Sequence, residues 1–263
     1  MKKLFKVLVI SLFLTTSSLA GSDGQNELSK NQNGEVKDCF ETINRGVFAF
    51  NEGIRKIVFE PLAKGYLYLP SSVRTGAGNM LSNLTNVITI PNNVLQGDLG
   101  LAAKNTARFT VNTTIGILGL FDPASKMGLN NGNYYKEDYG QTLGSWGFKE
   151  GCYIVLPVLG PSTVRDTIAS IASFSGGDAW YNITVRNDTH YVSDFDYYFS
   201  RGATGVDFLA KNLGAVKNLE ENSIDFYASV KSLYLQERRQ KIANADKVTE
   251  TFDDSDWEEI ETQ

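Results

Sequence analysis

The sequence predicts a mainly α protein. Three features carry that expectation. Apolar residues recur at spacings of 3 and 4 in several segments, and prolines, glycines and acid caps punctuate those segments. The strict alternation and hairpin dipeptides of a β protein are scarce.

The first twenty residues read as a cleavable export signal. Lys2, Lys3 and Lys6 make a basic start, Val7 to Leu14 an apolar run, and Ser18-Leu19-Ala20 a small-residue cleavage site. Residues 21–37 hold hardly an apolar side chain and read as a disordered leader, with order beginning near Asp38. Phe40, Ile43, Val47, Phe50, Ile54 and Ile57 then mark a helix with one apolar stripe, bounded by Pro61. Asn44, Phe48, Asn51 and Arg55 form a second stripe beside it. Amides there suit either a hydrogen-bonded helix junction or a wall that is part wet.

Pro70-Ser71-Ser72 opens a helix that runs to about Val87. Pro91 opens a short one closed by Gly97, and Asp98 caps another that runs through Arg108. Asp122-Pro123 opens a short helix at Ala124 to Met127, with an acid cap, proline at its first position and Gly128 past its end. Gly160-Pro161-Ser162-Thr163 opens a helix with Val164, Ile168 and Ile171 on one face. A later helix carries Phe226, Val230 and Leu233 beside Tyr227 and Tyr234, and ends in Arg238-Arg239, which suits the helix dipole. Two stretches lack charge altogether, Phe109 to Phe121 and Gly151 to Val164. Their lengths fit a buried core segment, a re-entrant segment or an interfacial one.

Composition narrows the function. The chain has 263 residues, 21% charged and 42% hydrophobic, which is ordinary globular usage. Removing the signal takes three lysines with it and moves the formal charge from −5 to −8. The acidic tail, residues 241–263, accounts for most of that charge, so the body is nearly neutral and no nucleic-acid partner is expected. No stretch is long and uncharged enough to span a bilayer, which takes about 20 residues. One histidine and two cysteines leave little for a metal site, and no cofactor motif is present. His190, and the pair Asp194 and Asp196, are what an exported hydrolase would have to use. Cys39 and Cys152 are free either to pair in an oxidising compartment or to remain two buried thiols.

Read in order, the motifs resemble the MlaA/VacJ family of outer-membrane lipid-asymmetry proteins. The resemblance runs from Phe40-Glu41-Thr42-Ile43-Asn44-Arg45 through Phe48, Phe50 and Asn51 to Pro61, then Ser82-Asn83-Leu84 and Pro91-Asn92-Asn93-Val94-Leu95-Gln96-Gly97. It continues at Arg108-Phe109-Thr110-Val111-Asn112-Thr113-Thr114-Ile115-Gly116 and Gly119-Leu120-Phe121-Asp122. Asp138-Tyr139-Gly140-Gln141-Thr142-Leu143-Gly144-Ser145-Trp146-Gly147 and Leu156-Pro157-Val158-Leu159-Gly160-Pro161-Ser162-Thr163-Val164-Arg165-Asp166 complete it. Residues 38–240 are covered.

The resemblance implies a ring-like bundle of amphipathic helices around a central amphipathic channel, lying in the inner leaflet of the outer membrane on its periplasmic side. It implies no enzyme. Such a component removes misplaced phospholipids from the outer leaflet and passes them to a periplasmic lipid carrier feeding an inner-membrane ABC transporter. It stands with a porin trimer. On that basis Asn44, Phe48, Asn51 and Arg55 are the expected channel wall. Ile115, Ile117, Leu118, Leu120 and Phe121 are the expected membrane-facing segment. Rival readings are a porin-binding scaffold that moves no lipid, and the hydrolase. One departure stands out. Gly21 follows the signal's Ala20, so no lipobox cysteine is present, and Cys39 sits where the family usually has proline.

Overall fold

A computed structural model describes residues 36–129, 136–173 and 194–243. The expected signal, nearly all of the leader, His190 and the tail beyond 243 lie outside the described residues. Two residues ahead of Asp38 already belong to the fold: Val36 is buried, and the Lys37 carbonyl accepts the Tyr153 N–H at 2.9 Å.

Helix α1 (Glu41–Ile54) does not stop before Pro61. It passes through a π-turn, Arg55–Phe59, in which the Glu60 N–H donates to the Arg55 carbonyl, and continues as α2 (Glu60–Leu67). The widened turn places Pro61 in the first turn of α2, where its missing N–H costs least. α3 (Ser71–Leu95) likewise runs through Pro91 instead of restarting there. Side chains take up carbonyls around the break, as where Asn92 Nδ2 donates to Ile88 O at 2.8 Å. α4 (Leu99–Thr114) starts at its Asp98 cap, whose Oδ1 accepts the Leu101 N–H at 3.1 Å, and runs past Arg108. A short π-turn (Ser125–Leu129) follows, held at its start by Ser125 N–H on Asp122 Oδ1 and broken by Gly128 at φ 74°.

The second uncharged stretch is a β-hairpin, which corrects the expected helix opening at Gly160. Strands β1 (Tyr153–Leu156) and β2 (Gly160–Thr163) pair antiparallel, with Tyr153 opposite Thr163 and Leu156 opposite Gly160. Helix α5 (Tyr139–Ser145) precedes the hairpin and α6 (Val164–Ala172) leaves it directly, capped by Thr163. α7 (Asp194–Asn222) and α8 (Phe226–Ala243) complete the described chain, so Asp194 and Asp196 stand in the first turn of a helix, not in a loop. α3 packs on α4, and α7 lies against α2 and α3. The hairpin lies against α1, α6 and α8, while α5 is held by α6, α8 and α3.

Cys39 and Cys152 form a disulfide with Cα atoms 5.6 Å apart, which decides between the two alternatives for the thiols. Beside it Asp38 accepts from Asn44 Nδ2 at 2.7 Å and from the Tyr227 hydroxyl at 2.5 Å. The segment before α1 is therefore fastened to the hairpin and to α8 together.

Burial is inverted. Among the described residues seventeen polar or charged side chains are buried against eleven apolar ones, and thirty large apolar side chains stand exposed. The apolar stripe of α1 faces outward, with Ile43 65% and Ile57 77% exposed. Between α3 and α4 lie buried Asn83, Asn93, Asn105 and Asn112. Asn105 Nδ2 donates to Asn93 Oδ1 at 2.8 Å, and Asn83 Nδ2 to the Thr113 hydroxyl at 2.9 Å. Amide seams of this kind hold helices together where lipid offers no hydrophobic drive between them. No described helix is long and apolar enough to cross a membrane.

Candidate functional site

The Asn44 stripe is a junction. Asn44 Nδ2 donates to Tyr153 O at 3.0 Å while its Oδ1 accepts from Val155 N at 2.9 Å. Two turns on, Asn51 Nδ2 donates to Leu156 O at 2.9 Å and its Oδ1 accepts from Val158 N at 2.7 Å. Seven helical residues advance about 10.5 Å and three strand residues about 10 Å, so the two amides grip β1 and its turn in step. Phe48, between them, packs edge-on against Phe226 and Tyr227 at 5.4 Å. Arg55 reaches Glu52 at 2.7 Å, Glu60 at 3.4 Å and Glu220 at 2.6 Å. A wet wall needs polar atoms to spare, and Asn44 and Asn51 spend theirs on the hairpin. That is the junction the geometry shows for Asn44 and Asn51.

The expected membrane-facing residues do stand out from the body. Ile115, Ile117, Leu118 and Phe121 are each 57–62% exposed, and Leu120 is 39% exposed. They ride on a tight turn after α4, closed by Gly119 N–H on Asn112 O at 2.8 Å and Phe121 N–H on Gly116 O at 2.9 Å. Ile117 and Leu118 both have left-handed backbones, φ 52° and 56°. Such conformations cost branched residues about 1–2 kcal/mol each, so apolar character is kept at this tip against local preference.

A cavity of about 340 Å³ opens between α5, the hairpin, α6 and α8. Its lining combines apolar Ile88, Leu156, Leu159 and Ala169 with charged Asp138, Asp166, Arg201 and Arg238. Arg238 bridges the two acids. Its Nη1 and Nη2 donate to Asp138 at 2.6 and 2.7 Å, and its Nε donates to Asp166 Oδ2 at 2.8 Å. The Tyr234 hydroxyl adds a bond to Asp166 at 2.7 Å, and Arg165 Nε another at 2.9 Å. Burial alone would raise both carboxyls, yet the guanidinium bonds win. Asp138 is held at about 2 and Asp166 below its ordinary value. Burial, followed by the negative charge of Asp166, pushes the Tyr234 hydroxyl up, so it stays a donor.

Asp138 and Asp166 come from two stretches that the resemblance covers, Asp138–Gly147 and Leu156–Asp166, while Tyr234 and Arg238 come from α8, and the helix opening at Thr163 was the legible part. Asp138 Oδ1 accepts Gln141 N–H at 2.9 Å and Thr163 Oγ1 accepts Asp166 N–H at 3.2 Å. Gly140 is there for space. A Cβ at that position would lie 2.4 Å from Arg238 Nη2 and 2.5 Å from Asp166 Oδ1. Gly140→Ala is expected to destabilise the fold by about 1–3 kcal/mol, read as a lowered denaturation midpoint.

The MlaA lipoprotein family matches residues 36–241. An uncharacterised protein of Rickettsia prowazekii is 32% identical, covering 81% of this chain and 82% of its own length. The intermembrane phospholipid transport system lipoprotein MlaA of Haemophilus influenzae is 29% identical over 92% of this chain and 93% of that protein. Its namesake in Escherichia coli is 28% identical over 91% and 90%. A solved structure, reported as the structural basis for maintenance of bacterial outer membrane lipid asymmetry, superposes with TM-score 0.66 and 27% identity, covering 78% of this chain and 99% of that one. Match and relatives agree with the resemblance read from the motifs: the chain belongs to the MlaA lipoprotein family.

Proposed function

We propose that the protein is a phospholipid passage seated in the inner leaflet of the outer membrane, which helps keep phospholipid out of the outer leaflet. The inversion of burial is the observation that carries this. A chain that buries asparagine and exposes Ile57, Phe121 and Leu159 is matched to an apolar surrounding, and described helices none of which is long and apolar enough to cross suit one leaflet. A cavity whose lining holds both apolar side chains and ion-paired charges offers contacts for both parts of a phospholipid. In this proposal the lipid leaves to a periplasmic carrier that feeds an inner-membrane ABC transporter, and a porin trimer stands alongside. The names of the H. influenzae and E. coli relatives, which place them in an intermembrane phospholipid transport system, support a phospholipid and a transport system as partners. Both cysteines are held in the Cys39–Cys152 bridge, so retention rests on the apolar face instead of an acyl chain.

The test is outer-leaflet phospholipid in cells lacking the protein, read with a surface-accessible lipid label. Loss of the protein is expected to raise it and the wild-type chain to restore it. An Ile117→Asn, Leu118→Asn double variant separates seating from folding. Asparagine tolerates the left-handed backbone better than either native residue, so thermal stability is expected to hold or rise. Membrane retention and rescue are expected to fall. An unchanged label signal on deletion overturns the proposal, and full rescue by the double variant removes the tip from it.

A further inference from the structure

We propose that the turn of the hairpin, Pro157-Val158-Leu159, is a second apolar tip set into the lipid leaflet, and the lip over which acyl chains reach the cavity; the proposal rests on the passage reading above. Leu156 pairs with Gly160, so these three residues make the whole turn, and all three are exposed. Water selects asparagine, aspartate or glycine for such turns. This one carries no polar side chain, and Val158 holds a left-handed backbone at φ 67°. Among the described residues three non-glycine positions are left-handed, Ile117, Leu118 and Val158, and each is apolar and 57–61% exposed. A β-branched residue is poorly suited to that conformation, so its presence at an exposed tip points to a surrounding that rejects polar side chains. The hairpin therefore repeats the device of the 115–121 turn at a second place in the fold.

The backbone of the turn is prepared for hydrocarbon as well. Loops stay in water because their N–H groups need partners. Pro157 has no N–H, and the Val158 N–H donates to Asn51 Oδ1 at 2.7 Å. Asn51 Nδ2 donates to the Leu156 carbonyl at 2.9 Å, so the helix supplies bonds that water would otherwise supply. No charge lies between Gly151 and Val164, which leaves a protein partner no ion pair to make here. Position carries the second half of the proposal. Leu159 lines the cavity, as do Leu156 and Pro161, and yet it is 61% exposed. A residue that borders the cavity and stays so open stands at its mouth. An acyl chain moving in from the leaflet thus reaches the cavity along Leu159 and Leu156 without leaving apolar contact.

Fluorescence of the full chain in phosphatidylethanolamine–phosphatidylglycerol vesicles tests the seat. The three native tryptophans, Trp146, Trp180 and Trp257, are replaced by phenylalanine, and one tryptophan is returned as Leu159→Trp or, in a separate chain, as Phe121→Trp on the other tip. Lipids brominated on their acyl chains are expected to quench Leu159→Trp at least about twofold, as for a side chain about 5–10 Å inside the headgroup boundary. Quenching of Phe121→Trp without quenching of Leu159→Trp overturns the proposal, makes the turn a protein contact and leaves the passage reading standing. Quenching of neither, in a chain that still melts cooperatively, overturns the passage reading as well. The lip is tested in cells with a Val158→Asn, Leu159→Asn double variant. Asparagine relaxes the left-handed position, so thermal stability is expected to hold, and the 115–121 tip is expected to keep the chain at the membrane. Outer-leaflet phospholipid is nevertheless expected to stay at least about twofold above the level that wild type restores, because amides now stand where acyl chains must pass. Leu159→Met is expected to restore the wild-type level. Full rescue by the double variant, or failure of Leu159→Met to rescue, overturns the lip.

Discussion

Replacing Cys39 and Cys152 together with serine is expected to lower the unfolding free energy by about 4 kcal/mol, or roughly 10 °C in melting temperature for a domain of this size. The bridge joins positions 113 residues apart, so in the unfolded chain it closes a loop that spans α1 to α5. Its removal releases that loop to a much larger ensemble while changing little in the native contacts. The fold is expected to survive, because three other attachments hold the same segment: Val36 in the core, Lys37 O on Tyr153 N, and Asp38 on Tyr227 and Asn44. Denaturant melts in nonionic detergent give the number, and the wild type under reductant should reproduce it. A loss below about 1 kcal/mol would mean that the reduced chain is already closed by residual structure near the hairpin.

The period of α1 was legible and its facing was not. Spacings of 3 and 4 fix which residues share a stripe, but a wheel is silent about the solvent that stripe meets, and here Ile43 and Ile57 face outward while Asn44 is buried. The amides of Asn44 and Asn51 carried both readings, junction or wet wall. The hairpin that decides between them lies more than a hundred residues away. That hairpin escaped because its turn uses Val158 at φ 67° and no Asn-Gly or Asp-Gly signal, leaving an apolar run that reads equally as helix. Pro61 and Pro91 misled in the opposite sense, since a π-turn before one and side-chain bonds around the other let the helices continue. Of the cavity, only the helix opening at Thr163 was readable. The convergence of Asp138, Asp166 and Arg238 depends on packing among α5, α6 and α8, which no local spacing encodes.

Arg238→Leu is expected to cost about 2–3 kcal/mol at neutral pH, chiefly by taking one of two guanidinium partners from Asp166, whose side chain is 6% exposed and keeps Arg165 and Tyr234. Asp138, 47% exposed at its side chain, is better able to turn to water and contributes less. The pH dependence identifies the cause. With Arg238 present, both carboxyls sit below their ordinary values, Asp138 at about 2. They therefore contribute stability that is complete above about pH 4 and is lost as pH falls toward 2. Without that guanidinium, burial is opposed by fewer partners and both carboxyls move up, so acidification begins to relieve the variant where the wild type stays flat. The stability gap between the two is expected to narrow steadily on acidification from pH 7 to pH 4. Arg238→Lys should recover less than half of the loss, because one ammonium cannot present parallel donors to Asp138 and a third to Asp166. A gap that stays constant with pH would assign the cost to the lost packing of the arginine stem and remove the charge bridge as the element that joins α5, α6 and α8.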